Sequence, residues 1–185
     1  MLVIGGARSG KSRYAEELAC RRPGPVLYVA TATASDDEMA RRIREHRAYR
    51  SSEWRTIEAP TAVANAIEGA LGDSRLILLD CLGVLVNNLI IAVAGTDPDA
   101  PAHVEEEPME AQIRAEVDSL ISCVNRTDAS FIIVSNEVGA GLVPPYQLGR
   151  LFRDLMGFAN QALAQHADQV YYMVAGLPLR LKPAP

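Results

Sequence analysis

The first dozen residues constrain this chain more than any other stretch. Gly5-Gly6-Ala7-Arg8-Ser9-Gly10-Lys11-Ser12 follows a short apolar run, Leu2–Ile4, and precedes a helix-compatible stretch, Arg13–Cys20. Gly-x4-Gly-Lys-Ser between a strand and a helix is the signature of a phosphate-binding loop. Its glycines let successive backbone N–H groups point inward at a triphosphate, and the helix N-terminus adds a dipole that favours the phosphate charge. Lys11 would reach the β- and γ-phosphates, and Ser12 would place its hydroxyl on a Mg2+ ion. An accidental Gly/Ser-rich turn explains neither the matched positions nor their context.

The rest of the chain alternates in the way such a loop requires. Val26–Ala30, Ile77–Asp80, Phe131–Ser135 and Val170–Val174 join Leu2–Ile4 as short β-branched-rich runs that read as buried strands. Between them lie helical patterns, one through Ile113, Val117, Leu120, Ile121 and Val124, another through Leu148, Leu151, Phe152, Leu155, Met156, Ala159 and Leu163. This alternation predicts an α/β fold, a mostly parallel sheet with helices on both faces, and places the chemistry at the strand ends. At 185 residues the chain can bury its own core as one domain over residues 1–185.

Charge and cysteine content narrow the classes further. Residues 96–110 hold six acids and no Lys or Arg, so the formal net charge of -5 is concentrated in one Pro-rich stretch. That stretch reads as a solvated, flexible excursion and argues against a nucleic-acid groove there. Cys20, Cys81 and Cys123 are odd in number and lack a C-x-x-C pair, which suggests neither a disulfide framework nor a zinc site. With the first strand beginning at residue 2, no signal peptide is expected, and no apolar run approaches the roughly 20 residues that span a bilayer. The expectation is a cytoplasmic protein without a membrane span.

Several strand ends carry polar residues. Arg75-Leu-Ile-Leu-Leu-Asp80 is an apolar strand ending in a carboxylate, the form taken by an acid that holds Mg2+ beside a phosphate-binding loop. Thr31-Ala32-Thr33 is a hydroxyl-bearing turn suited to phosphate or base contacts. Asn136-Glu137-Val138-Gly139, continued by Ala140-Gly141, reads as a substrate loop. Ser35 followed by Glu38 forms a capping box, so a helix is predicted from near Asp36 towards Arg50. On it Met39, Ile43, His46 and Arg50 share one face, with Arg41, Arg42, Arg44 and Arg47 nearby. Such a histidine is either a boundary residue on a solvated charged helix or, ringed by guanidinium groups beside a triphosphate, a neutral nucleophile for an α-phosphorus.

In combination and order, GGARSGKS at 5–12, Tyr28–Thr33, Arg42–His46 with Arg50, Trp54–Thr56, Glu58, Asp80–Leu82, Ser135–Gly139 and Val174–Leu179 carry a specific resemblance. Over nearly its whole length the chain resembles the bifunctional adenosylcobinamide kinase / adenosylcobinamide-phosphate guanylyltransferase family of cobalamin biosynthesis. The resemblance implies a RecA-like P-loop NTPase fold, a homotrimer, and a corrinoid substrate used with GTP and ATP. It also implies two reactions: phosphorylation of adenosylcobinamide, then transfer of GMP from GTP to give adenosylcobinamide-GDP. By the same resemblance His46 accepts GMP, and Gly5 to Ser12, Thr31 to Thr33, Arg47, Ala48, Tyr49, Arg50, Glu58 and Asp80 contact nucleotide. The family commonly has Thr and Trp where this chain has Gly83 and Leu85, and the acidic stretch at 96–110 is atypical of it.

Two other readings use the same loop: a single-activity P-loop small-molecule kinase, and a regulatory nucleotide-binding module without transfer chemistry. No Asn-Lys-x-Asp guanine-specificity motif occurs, which weighs against a GTPase switch.

Overall fold

Apolar runs of four to seven residues are too short for stable helices and pair instead into one sheet. The computed structural model describes residues 1–33, 41, 51–94 and 106–183. Its strands are β1 (Leu2–Gly5), β2 (Val26–Ala30), β3 (Arg55–Glu58), β4 (Leu76–Asp80), β5 (Ser130–Asn136), β6 (Val170–Val174) and β7 (Leu177–Lys182). The helices are α1 (Lys11–Cys20), α2 (Val63–Ala70), α3 (Leu82–Ala94), α4 (Glu106–Arg126) and α5 (Gln147–His166). The seven strands lie in the order β3-β2-β4-β5-β1-β6-β7. Neighbours from β3 to β6 are parallel, and β7 returns antiparallel to β6.

Alternation along each strand sorts its side chains between two cores. Leu76 and Leu78 of β4 join Val3, Tyr28 and Val134 against Ala15 and Ala19 of α1. Ile77 and Leu79 join Leu27, Val29 and Ile133 against α2, α3, α4 and α5. With both faces covered, the central strands read as continuous apolar runs, and the expected α/β architecture with helices on both faces is the one observed. α3 fits this position because it is apolar almost throughout, burying Leu82, Leu85, Val86, Leu89 and Ile90. Among the described residues no helix is long and apolar enough to cross a membrane.

Two details depart from the sequence reading. The edge strands β3 and β7 were not expected. β3 contributes only the half-buried Ile57 to a core, and β7 leaves Leu177, Leu179 and Leu181 more than half exposed. The acidic excursion also ends earlier than expected, since residues 106–110 open α4. Glu106 and Glu107 occupy its first turn, where the helix dipole favours negative charge, and Met109 is fully buried. Residues 96–105 of that stretch lie outside the described residues.

Candidate nucleotide site

The parallel order brings the C-terminal ends of β2, β4, β5 and β1 together, with the Gly5–Ser12 loop between β1 and α1. Gly5 pairs with Asn136 of β5 and Met173 of β6. A Cβ at Gly5 would lie 2.7 Å from the Met173 carbonyl oxygen and 2.7 Å from Ser9 Oγ, so no larger residue fits. Gly10 has φ +92°, and a Cβ there would sit 3.2 Å from Gly176 Cα. The loop is braced from both sides: Gly176 N–H donates to Ser9 O at 3.0 Å, and Glu137 N–H donates to Gly5 O at 2.9 Å.

Within the loop, Lys11 is buried and its Nζ donates to Gly6 O at 2.7 Å. Burial holds its ammonium below the ordinary lysine range, and the Asp80 carboxylate pulls the other way. Ser9 Oγ is buried without a hydrogen-bond partner among the described residues. Ala7 and Arg8 are exposed at the tip, with Arg8 at φ 55°.

Asp80 ends β4 facing α1. Ser12 Oγ donates to its Oδ1 at 3.3 Å, and Tyr28 OH donates to its Oδ2 at 2.9 Å. The Ser12 hydroxyl and Asp80 carboxylate are hard oxygen donors of the kind that suit Mg2+, which is held by one or two protein oxygens plus substrate phosphates. Cys81 follows, its thiol pushed up to about 12 by burial and by Asp80.

Thr31 is fully buried. Its Oγ1 donates to Cys81 O at 2.8 Å and accepts from Cys81 N–H at 2.9 Å, which fixes the turn after Asp80. Asn88 Nδ2 of α3 bridges Thr31 O and Pro60 O at 2.9 and 3.0 Å, tying the ends of β2 and β3 together. The surface of this turn belongs to Ala32 and Thr33, Thr33 being exposed. Glu58 is exposed at the end of β3 and stands level with Ala30, which stands level with Asp80. Two strand spacings separate the acids, about 10 Å between backbones.

The structure thus collects the loop residues, Thr31 to Thr33, Glu58 and Asp80 at one edge of the sheet. His46, Arg47, Ala48, Tyr49 and Arg50, with the Ser35 cap, lie outside the described residues. Sequence reasoning missed Tyr28, Asn88 and Gly176 as parts of this site. Tyr28 and Gly176 stood within motifs singled out for their resemblance, but their contacts depend on strand neighbours distant in sequence. His166 closes α5, with Nδ1 2.9 Å from Ala162 O.

The family described as cobinamide kinase / cobinamide phosphate guanyltransferase matches residues 1–181. The bifunctional adenosylcobalamin biosynthesis protein CobU of Escherichia coli (strain K12) is 42% identical over 183 residues, covering 98% of this chain and 99% of the relative. CobP of Pseudomonas aeruginosa, which bears the same description, is 41% identical over 184 residues, covering 100% of this chain and 98% of the relative. Among solved structures, an ATPase of the type III secretion system superposes with TM-score 0.54 at 11% identity, over 97% of this chain and 56% of that one. A protein from Pyrococcus horikoshii OT3 gives TM-score 0.54 at 9% identity, over 100% of this chain and 86% of that one. At such identities the structural likeness speaks to the fold alone.

Proposed function

This chain belongs to the cobinamide kinase / cobinamide phosphate guanyltransferase family, and from that premise we propose that it performs both transfers on a corrinoid substrate. In the first, the aminopropanol hydroxyl of adenosylcobinamide attacks the γ-phosphorus of ATP or GTP. The hydroxyl gives up its proton, and the nucleoside diphosphate leaves. In the second, a ring nitrogen of His46 attacks the α-phosphorus of GTP and expels pyrophosphate. A phosphate oxygen of adenosylcobinamide phosphate then attacks the same phosphorus, breaks the P–N bond and leaves as adenosylcobinamide-GDP.

The observation that carries this reading is the juxtaposition of buried Lys11 with the Ser12–Asp80 pair at the mouth of the loop. Positive charge on Lys11 serves either reaction, because the β- and γ-phosphates are leaving group and donor in the first and pyrophosphate in the second. Ser12 and Asp80 would hold Mg2+, which neutralises charge on the transferring and leaving phosphates. Gly5 to Ser12 cradle the triphosphate, and Thr31 to Thr33, Glu58 and Arg47 to Arg50 contribute further nucleotide contacts. His46 is the GMP acceptor. The hydroxyl of Thr31 already serves the Cys81 peptide, so its share in this site is to set the turn from which Ala32 and Thr33 project.

One nucleotide-binding domain over residues 1–185 carries both activities in a cytoplasmic homotrimer. The three unpaired cysteine thiols suit a reducing compartment. The exposed apolar face of the edge strand β7, Leu177, Leu179 and Leu181, supports self-association. Incubating the protein with adenosylcobinamide, GTP and Mg2+ and following the corrinoid by mass spectrometry tests the reading. Adenosylcobinamide phosphate should form first and adenosylcobinamide-GDP second. Arrest at the phosphate would leave a kinase alone, and an unchanged corrinoid would refute both activities.

A further inference from the structure

Tyr28 is a buried residue of β2 whose role is not exhausted by packing. Its register partner on β4 is Leu78, two residues before Asp80, so Tyr28, Leu78 and Asp80 all face α1. From there the phenol reaches along the sheet and donates to Asp80 Oδ2 at 2.9 Å, while Ser12 donates to Oδ1 at 3.3 Å. An ionised carboxylate only accepts, and among the described residues one donor from β2 and one from α1 hold its two oxygens and so orient its plane. Trp54, the single tryptophan of the chain, stacks on the Tyr28 ring at 6.4 Å with 20° between the planes, just ahead of β3. The ring is therefore held between strand, helix and indole, and cannot readily follow a carboxylate that turns.

We propose that Tyr28 is the positioning residue of the metal-side carboxylate: its phenol pins Oδ2 of Asp80, so that Oδ1 is presented together with Ser12 to the magnesium–nucleotide. This rests on the reading that Asp80 and Ser12 hold the metal. Partners that orient a metal-binding carboxylate typically cost about 10- to 100-fold in metal affinity when removed. The hydrogen bond, rather than the ring, carries the effect, and Tyr28→Phe removes the phenol hydroxyl while keeping the ring. The Tyr28–Trp54 stack also gives the site an optical reporter.

The test titrates Mg2+ into protein saturated with α,β-methylene-GTP, whose α-phosphorus cannot lose pyrophosphate, and follows Trp54 emission, with binding of a fluorescent GTP analogue in EDTA as the metal-free reference. Wild type, Tyr28→Phe and Asp80→Asn are compared. Expected for Tyr28→Phe is metal-free analogue binding within about twofold of wild type but a Mg2+ requirement raised about 10-fold, with the Mg2+-dependent change in emission diminished. Asp80→Asn should raise the requirement at least as far. A Tyr28→Phe protein with the wild-type Mg2+ requirement, beside an Asp80→Asn protein that needs more, overturns the role of Tyr28 and leaves the metal reading standing. An unchanged requirement in Asp80→Asn refutes the metal reading and the Tyr28 proposal with it. Loss of metal-free binding in Tyr28→Phe to the same extent as Mg2+-dependent binding would show that the phenol only supports packing, and would also overturn the proposal.

Discussion

Replacing Gly5 by alanine should cost stability at the base of the phosphate-binding loop. The added Cβ would sit 2.7 Å from Met173 O and 2.7 Å from Ser9 Oγ. The serine hydroxyl can rotate away, but the carbonyl cannot, because Met173 is the register partner of Gly5 on β6. Relief requires β1 and β6 to part at the base of the loop. Overpacking of a well-filled site costs about 1–3 kcal/mol, and a backbone obstacle places this one near 3 kcal/mol. For a chain of this size each kcal/mol moves the midpoint by about 2–4 °C, so Gly5→Ala should melt about 6–12 °C lower. Gly6→Ala is the matched control, since a Cβ there meets nothing within 4 Å. Its stability should stay within about 0.5 kcal/mol of wild type, a midpoint shift of no more than about 2 °C. Thermal unfolding followed by circular dichroism reads both, and equal midpoints for the two variants would refute the close approach of β6 to the loop.

Lys11→Ala removes the buried cation of the loop and should lower kcat/KM for both phosphorylation and guanylylation by about 100-fold or more, measured with each reaction run separately. Unchanged kinetics in both would sink the assignment of Lys11 to the triphosphate. Cys81 should resist alkylation: with its thiol pushed up to about 12, almost no thiolate exists at about pH 8, and raising the pH to about 9 adds little. Peptide mapping after iodoacetamide should find the exposed Cys20 modified in the folded protein and all three cysteines modified after denaturation. Rapid labelling of half-buried Cys81 in the folded state would contradict the raised thiol.

The central strands and the loop were legible because they obey local rules. Leu2–Gly5 and Leu76–Asp80 are apolar runs covered on both faces, and each ends in the residues that begin the chemistry. The edges followed weaker signals. Arg-Thr-Ile-Glu at 55–58 offers one apolar side chain to a core, and Leu177–Lys182 alternates but leaves its leucines exposed and has Pro178 within it. Residues 106–110 resembled a solvated excursion, yet Met109 takes a core position among the helices on one face of the sheet. Thr31 suited a phosphate turn by composition, yet its hydroxyl bonds a peptide fifty residues away. Tyr28 read as one more buried strand residue for the same reason: its partner is fixed by the β2–β4 register, which no local pattern encodes.

The most direct measurement is incubation with α-labelled GTP and Mg2+ in the absence of corrinoid, followed by acid and alkali treatment of the denatured protein. Label bound through a phosphorus–nitrogen bond should survive alkali and be lost in acid. It should be absent from His46→Asn, which keeps a polar side chain but lacks the nucleophilic ring, and present in His166→Asn, whose ring sits at the end of α5 against Ala162 O. Label retained by His46→Asn, or lost from His166→Asn, would contradict the assignment of His46 as the residue that carries GMP.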